Sequence, residues 1–379
     1  MFVSKQINMS TNKRRHELDY LRVGAILAVF FHHTGMPFNG DDFHIMNAAS
    51  SSLLDDLMVY FEQFRLPLLF LISGAGTVMA LSKRTWKQFL KQRTVRLLIP
   101  LFFGVLVIVP PQTYVQYFAE NRTYLSIYKE GRFEVNHLWF IQNLYIITLF
   151  ALPLILYLRS GRASCSIDFL VNLLCKKFGF IWTGLPLLIG WVILKRYYPS
   201  GSSDLTNLSQ TFYYSYFFLA GILLANSDRF WEGLKHHRRI YLFTALLLTC
   251  LFYGYYYLPG AFLEPFLSLA IRWDIWYGIS ALLGWTAVIT ILSYAQVYLT
   301  KPVGILKYLN EGIYPFYILH QTVIVVLAFF IVQTGWSIPL KLSILLLSSL
   351  LVILPIYWFL IRPSSLLRLV FGMKRQPVK

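Results

Sequence analysis

Charged residues and cysteines are both scarce in this sequence, and each shortage excludes a class of protein. Only 13% of the 379 residues are charged and 57% are hydrophobic, whereas roughly a quarter of the residues in a soluble domain are charged. Such a chain could not cover its surface with polar groups in water. The three cysteines are too few to staple a small fold together. We therefore exclude both a soluble globular domain and a disulfide-framed secreted domain.

Several motifs of soluble enzymes are also missing. The sequence has no HExxH motif and no cysteine pair at ligand spacing, so we expect no metal. It has no P-loop, no GxGxxG and no GxSxG elbow, and we expect no permanently bound cofactor. No cleavable signal, internal repeat or low-complexity tract is visible. We predict a single domain over residues 1–379, with a cytoplasmic N-terminal segment at 1–17 and a basic cytoplasmic tail at 363–379.

Long apolar runs dominate what is present. A stretch of about 20 apolar residues crosses a hydrocarbon core as a helix, and only helices or closed barrels satisfy the backbone in lipid. The sequence predicts an all-α polytopic membrane protein, a bundle of about ten transmembrane helices. The predicted spans are 18–38, 57–82, 95–117, 137–158, 179–197, 210–226, 239–258, 271–297, 312–333 and 338–361.

The basic residues predict the orientation of these spans. Most of the 34 lysines and arginines fall on one side when the connections are assigned alternately to the two faces. The positive-inside rule then predicts that both termini are cytoplasmic. The net charge of +17 lies mainly in these short loops beside the membrane. We therefore expect membrane lipids with anionic headgroups as partners, and no nucleic acid.

The first predicted helix carries three polar residues on one face. Arg22 and His33 are eleven residues apart, which returns to nearly the same face about 16 Å further along the axis. Asp19 lies one turn before Arg22. Two interpretations stay open: His33 is a core histidine bonded to a carbonyl and Arg22 a snorkelling anchor, or the stripe is functional. In lipid we favour function for His33, because a neutral imidazole exchanges protons near pH 7.

Further ionisable residues fall inside or beside other spans. Arg93 and Arg96 are neighbours on a helix face near the start of the third span, where a phosphate-bearing ligand would suit them. They could also be topology determinants that face headgroups. Glu62 and Arg65, one turn apart in the second span, form either a structural salt bridge or a substrate contact.

Two histidines in the later spans complete the candidates. His137 opens the fourth span in NHLWFIQNLY, beside Trp139, and His320 lies inside the ninth span in YPFYILHQ. A structural histidine at the interface or within the bundle is the alternative for each. His44 lies in a predicted connection outside the bilayer, and we draw no inference from it.

The order of these motifs resembles acyltransferase family 3 of bacterial inner membranes. The resemblance rests on Arg22 and His33 with ten residues between them, and on FLISG, RTVR followed by IP, HLWFI and YPFYILHQ. It is collinear from about residue 16 to 330, and FRLPLLFLISG and NHLWFIQNLY are most similar to a branch that modifies glucans. The resemblance implies a multi-pass inner-membrane enzyme that O-acylates glycans. It also implies that Arg22 and His33 are essential and that Arg93 and Arg96 are the family's paired arginines.

The resemblance and the residues together predict acyl transfer across the membrane. Cytoplasmic acyl-CoA, acetyl-CoA or succinyl-CoA, would be the donor, and a hydroxyl of an extracytoplasmic glycan the acceptor. Arg93 and Arg96 would hold the phosphates of coenzyme A. His33 would act either as general base or as the group that is acylated first. The alternative from another class is a secondary transporter or flippase, in which the buried histidine, arginine and glutamate side chains relay protons or bind substrate.

Overall fold

The computed structural model describes residues 14–118, 123–202 and 204–374, and within these ranges it contains helices and no strand. The N-terminal part of the predicted 1–17 segment and the last five residues of the predicted tail lie outside the described residues. The long helical segments, numbered α1 to α10, are His16–Gly35, Ser52–Leu81, Trp86–Gln116, Asn136–Arg159, Gly179–Tyr197, Leu208–Ala225, Arg238–Tyr256, Leu269–Tyr298, Gly304–Ile331 and Ile338–Ile361.

The helices confirm an all-α, multi-pass membrane protein. Among the described residues, α2 to α10 are nine helices long and apolar enough to cross a membrane. Helix α1 coincides with the first predicted span but carries Asp19, Arg22, His32 and His33, and it is not among the nine. Short helices lie in the connections and near the C-terminus, at Tyr124–Lys129, Ser164–Leu174, Asp228–His236, Gly260–Leu263 and Ser365–Val370.

Helix α3 begins nine residues before the predicted apolar span because a capping box fixes its start. The Thr85 hydroxyl accepts the Gln88 backbone N–H at 3.3 Å, and the Gln88 side chain accepts the Thr85 N–H at 3.2 Å. Two amide groups that a helix N-terminus leaves without partners are satisfied in this way. Arg93 and Arg96 consequently lie in the second and third turns of a regular helix, and not at its first turn.

Near its other end, α3 contains a π-helical turn at Gly104–Ile108 that is followed by two prolines. The Val109 N–H donates to the Gly104 carbonyl at 2.8 Å, five residues back. The irregular turn leaves the Ile108 carbonyl to accept the Thr322 hydroxyl of α9, at 2.8 Å. Such turns are rare and recur at functional sites, and this one joins α3 to the helix that carries His320.

The chain divides into two compact units. The first comprises Met1–Arg22, Gln63–Arg84 and Ile146–Pro302, and the second Val23–Glu62, Thr85–Tyr145 and Val303–Lys379. The prediction of a single functional domain stays a prediction.

In the first unit, α2 and α6 approach each other at two glycines. A Cβ atom on Gly74 would lie 2.0 Å from the Phe218 carbonyl oxygen, and one on Gly221 would lie 1.9 Å from the Leu71 carbonyl oxygen. Both distances are far below van der Waals contact. Small residues let membrane helices pack backbone to backbone, and these two glycines therefore set the distance between α2 and α6.

In the second unit, α1 and α9 pack through aromatic rings. The Phe30 and Phe316 rings meet edge to face with centroids 5.1 Å apart, and Phe30 is 1% exposed. Gly104 of α3 lies so close to Leu138 of α4 that a Cβ would stand 2.4 Å from the leucine side chain. These contacts bring the histidine-bearing parts of α1, α4 and α9 together.

Candidate active site

Two of the predicted histidines are hydrogen-bonded to each other in the second unit. The Nδ1 atom of His33 on α1 lies 2.7 Å from Nε2 of His320 on α9. The two rings are nearly parallel, 10° apart with centroids at 5.0 Å, and His320 is only 1% exposed. The helices thus join residues 287 positions apart in the sequence.

The partners of His320 assign the protons of both rings. Nδ1 of His320 faces the carbonyl oxygen of Tyr317, which can only accept, so this nitrogen carries hydrogen. In the neutral ring Nε2 then holds a lone pair and accepts from Nδ1–H of His33. His33 in turn keeps its own lone pair on Nε2. The Tyr317 carbonyl therefore fixes the tautomer of His320, and His320 in turn fixes the tautomer of His33. The basic nitrogen of His33 is then Nε2.

His137 lies against the same pair. Its Nε2–H donates to the Ile318 carbonyl at 3.0 Å, and the Tyr317 hydroxyl donates to the carbonyl of His137. The His137 and His320 rings meet edge to face with centroids 5.3 Å apart. The preceding Asn136 has φ of 45°, a left-handed conformation that asparagine tolerates and most residues avoid. This turn positions the His137 side chain against α9.

A fourth histidine, His44, joins the cluster from the connection between α1 and α2. Its Nδ1–H donates to the Gln116 side-chain oxygen at 2.7 Å, and its Nε2 accepts from the Gln321 amide at 3.0 Å. The neighbouring Phe43 ring lies parallel to His33, 21° apart with centroids at 6.3 Å. Sequence reasoning missed His44 because it weighed only ionisable residues inside the spans.

The two arginines of α3 also lie in the second unit, beside the C-terminal segment. Arg96 is exposed and Arg93 half-buried. Nε of Arg96 donates to the Gly372 carbonyl at 3.1 Å. A Cβ on Gly372, whose φ is +66°, would lie 2.3 Å from the Tyr314 ring and 2.7 Å from the Arg96 carbonyl oxygen. Arg96 and Tyr314 of α9 therefore converge on this glycine.

Arg22 and Asp19 form an ion pair within the first unit. The closest guanidinium and carboxylate atoms are 3.3 Å apart, and Arg14 reaches the same carboxylate at 2.8 Å. Asp19 thus lies one turn from Arg22, as predicted, with a second cation beside it. Arg22 and His33 both belong to α1, but they fall in different units.

The remaining predicted residues, Glu62, Arg65 and Trp139, differ in their exposure. Glu62 is exposed, whereas Arg65 is 8% exposed. Trp139 is half-buried, and its ring meets Phe140 at right angles with centroids 6.5 Å apart. Phe140 in turn packs against Tyr317 with centroids 5.8 Å apart. Trp139 therefore supports the histidine cluster through one intervening ring.

Cys175 is a half-buried thiol in the connection after α4. Burial raises the pKa of this thiol above its ordinary value. Its Sγ–H donates to the Arg229 carbonyl at 3.3 Å. Because the thiolate is the nucleophilic form, a raised pKa makes Cys175 a poor acyl acceptor near neutral pH.

Comparison with protein families identifies the class to which the chain belongs. Residues 15–358 match the family model described as an acyltransferase domain, the model of acyltransferase family 3. The chain therefore belongs to this family of membrane acyltransferases, which confirms the resemblance seen in the motifs.

Two individual relatives of the chain have the same name and match part of its length. Glucans biosynthesis protein C of Escherichia coli strain K12 is 26% identical over 229 residues, which cover 56% of this chain and 58% of the relative. The same protein of Escherichia coli O6:K15:H31 strain 536 is 25% identical over the same shares. The chain thus matches 58% of the length of these relatives. No solved structure matches it significantly.

Proposed function

We propose that this chain is a membrane-embedded O-acyltransferase that moves an acetyl or succinyl group from cytoplasmic acyl-CoA to a hydroxyl of an extracytoplasmic glycan. Family membership supports the reaction class, and the name of the glucans biosynthesis relatives supports a glucose polymer as acceptor. The observation that carries the proposal is the 2.7 Å bond between His33 and His320. This bond holds the basic nitrogen of His33, Nε2, in a fixed orientation among the helices.

His33 acts as general base in the proposed step. Nε2 takes the proton of the acceptor hydroxyl while that oxygen attacks the thioester carbonyl carbon. The tetrahedral intermediate collapses, the C–S bond breaks, and the proton passes from His33 to the departing sulfur. The products are an ester of the glycan and coenzyme A with a free thiol. His320 does not touch the reacting atoms; it is a positioning residue that holds His33 in the required tautomer.

Arg93 and Arg96 bind the phosphates of coenzyme A in this proposal. Guanidinium groups match phosphate oxygens in pairs, and the helices leave Arg96 exposed. The spacing of two residues on α9 indicates how far the donor must reach from the arginines to His33. Tyr314, beside Arg96, and His320, beside His33, are six residues apart, which corresponds to about 9 Å along a helix. An extended pantetheine arm spans such a distance.

The positions of the basic residues support entry of the donor from the cytoplasm. Arg93 and Arg96 belong to a run of cations around the start of α3, and the positive-inside rule places such runs on the cytoplasmic side. The donor and the acceptor would therefore meet from opposite faces of the membrane at the histidine cluster. Transfer across the membrane is then part of the reaction itself.

Replacement of His33 by glutamine tests the proposal. General-base catalysis contributes about 10²- to 10⁴-fold, so we expect acyl transfer from radiolabelled acetyl-CoA or succinyl-CoA to a glucose oligosaccharide to fall by this factor, with acyl-CoA binding retained. His32→Gln is the matched control, since it changes the neighbouring histidine of the same helix. Unimpaired transfer by His33→Gln would overturn the assignment. A mass increase of one acyl group on the wild-type protein, with donor alone, would instead favour acylation of His33.

The transporter alternative makes a different prediction. A transporter would not cleave the thioester, whereas the proposed enzyme transfers its acyl group without an ion gradient. We expect the purified protein in detergent, where no gradient exists, to release coenzyme A in the presence of acceptor. Gradient-dependent movement of an intact substrate, with no thiol release, would favour the transporter.

A further inference from the structure

Polar side chains of α3 and α9 form a ring beside the histidine cluster of the second unit. On α3, Gln112 and Gln116 are one turn apart, and on α9 Gln321 and Thr322 follow His320 directly. The Thr322 hydroxyl lies 3.3 Å from the Gln112 side-chain oxygen. His44 is hydrogen-bonded to the other two side chains, Gln116 and Gln321. We call this set the polar ring: His44, Gln112, Gln116, Gln321 and Thr322.

Hydrogen-bonding capacity at the polar ring exceeds the partners that the described residues supply. Gln112 is fully buried, yet its amide nitrogen has no partner there; the hydroxyl of Thr113, 1% exposed, has none either. The same holds for Nδ1 of the buried His137. An unsatisfied buried polar group costs about 1–3 kcal/mol. Three such groups near one cluster indicate a place where a ligand with several hydroxyl groups binds.

His44, which occupies part of the polar ring, lies in the connection between α1 and α2 and not in a helix. His44 donates to Gln116 and accepts from Gln321, which is the pairing that a sugar hydroxyl also offers, since it donates and accepts at once. Next to it, Phe43 lies parallel to the His33 ring. The segment of Phe43 and His44 therefore contacts both Gln321 of α9 and the His33 ring.

We infer that the polar ring is the binding site for the hydroxyl groups of the sugar acceptor, and that His44 is a plug which the acceptor displaces. This inference rests on the proposed function for the identity of the acceptor. Gln116 and Gln321 bind the sugar in place of His44, and displacement of the plug carries Phe43 away from His33. The acceptor then delivers one hydroxyl to the base.

Two substitutions distinguish this plug from a merely structural ring. Gln321→Leu removes a donor that the sugar needs, whereas His44→Ala removes the competitor of the sugar. We expect affinity for a short glucose oligosaccharide, measured calorimetrically on the full chain in lipid nanodiscs without donor, to fall about two- to tenfold for Gln321→Leu. For His44→Ala it should rise by a similar factor. Gln296→Leu, a buried amide of α8 in the first unit, is the matched control.

A lower sugar affinity for Gln321→Leu together with a higher sugar affinity for His44→Ala supports the inference. Loss of affinity in both variants, or no sugar binding by the wild type, would overturn it. Should Gln321→Leu fail to fold, Gln116→Leu provides the same test at the other end of His44. Acyl transfer is measured separately. If the binding pattern holds and no transfer occurs, the proposed function fails and the sugar site stands; if transfer occurs but both variants lose affinity alike, the sugar site fails.

Discussion

Replacement of His320 by leucine removes the acceptor for Nδ1–H of His33 and leaves the buried volume largely filled. In the proposed step His33 takes a proton from the acceptor and its ring becomes an imidazolium, so the 2.7 Å bond to His320 becomes a hydrogen bond to a charged group. Such bonds contribute about 1.5–3 kcal/mol. Because about 1.4 kcal/mol changes a rate tenfold, we expect kcat for acyl transfer to fall about 10- to 150-fold.

The assay is steady-state transfer from acyl-CoA to a glucose oligosaccharide, with kcat and both KM values measured. Arg93 and Arg96, not His320, bind the donor in the proposal, so KM for acyl-CoA should not change. His320→Gln should recover much of kcat, since the glutamine side-chain oxygen can accept at the position of Nε2. Equal losses for leucine and glutamine, or a loss confined to KM, would refute a positioning role for His320.

Two further predictions concern the donor site and the packing of the helices. Arg93→Gln combined with Arg96→Gln should raise KM for acyl-CoA about tenfold or more, because two charged hydrogen-bond donors to phosphate are lost. Arg84 is an exposed cation just before the same helix, and Arg84→Gln should leave this KM unchanged. Equal donor affinity in the wild type, the double variant and Arg84→Gln would refute the assignment. Gly74→Val should lower the thermal midpoint of the protein in detergent, because a Cβ there lies 2.0 Å from a carbonyl oxygen of α6. Gly76→Ala should leave the midpoint unchanged, because a Cβ at that position meets nothing within 4 Å. Equal midpoints for the two variants would contradict this packing.

The long apolar helices could be predicted because lipid leaves the backbone no alternative to helix at that depth. The starts of the helices were less predictable from hydropathy alone. Helix α3 begins at Trp86 because Thr85 and Gln88 cap it, and helix α9 begins at Gly304, whereas the apolar run begins at 312. The T-x-x-Q pattern before α3 is a recognisable start signal. Hydropathy does not register this pattern, because Thr85 and Gln88 are polar.

The histidines inside the spans could be predicted as a group, but their arrangement could not. Burial of an imidazole in lipid is costly, and this cost singled out His33 and His320. The bond between them depends on the rotation of α1 and α9 about their axes, and local sequence does not encode that rotation. The glutamines of the polar ring carried a signal too, since an amide within an apolar helix also needs a partner. Gln112, Gln116 and Gln321 were missed because only ionisable side chains were considered.

His44 shows most clearly why the site exceeds what the sequence reveals. Its partners are 72 and 277 residues away in the chain, and a histidine in a connection is ordinarily solvated and without consequence. Only the contact of that connection with α3 and α9 makes it part of the cluster. In the proposed reaction the helices supply the base and its orienting partner, and the connection supplies the group that competes with the acceptor. A histidine at membrane depth was expected to matter for its proton, whereas the role inferred for His44 rests on two nitrogens that donate and accept as a sugar hydroxyl does.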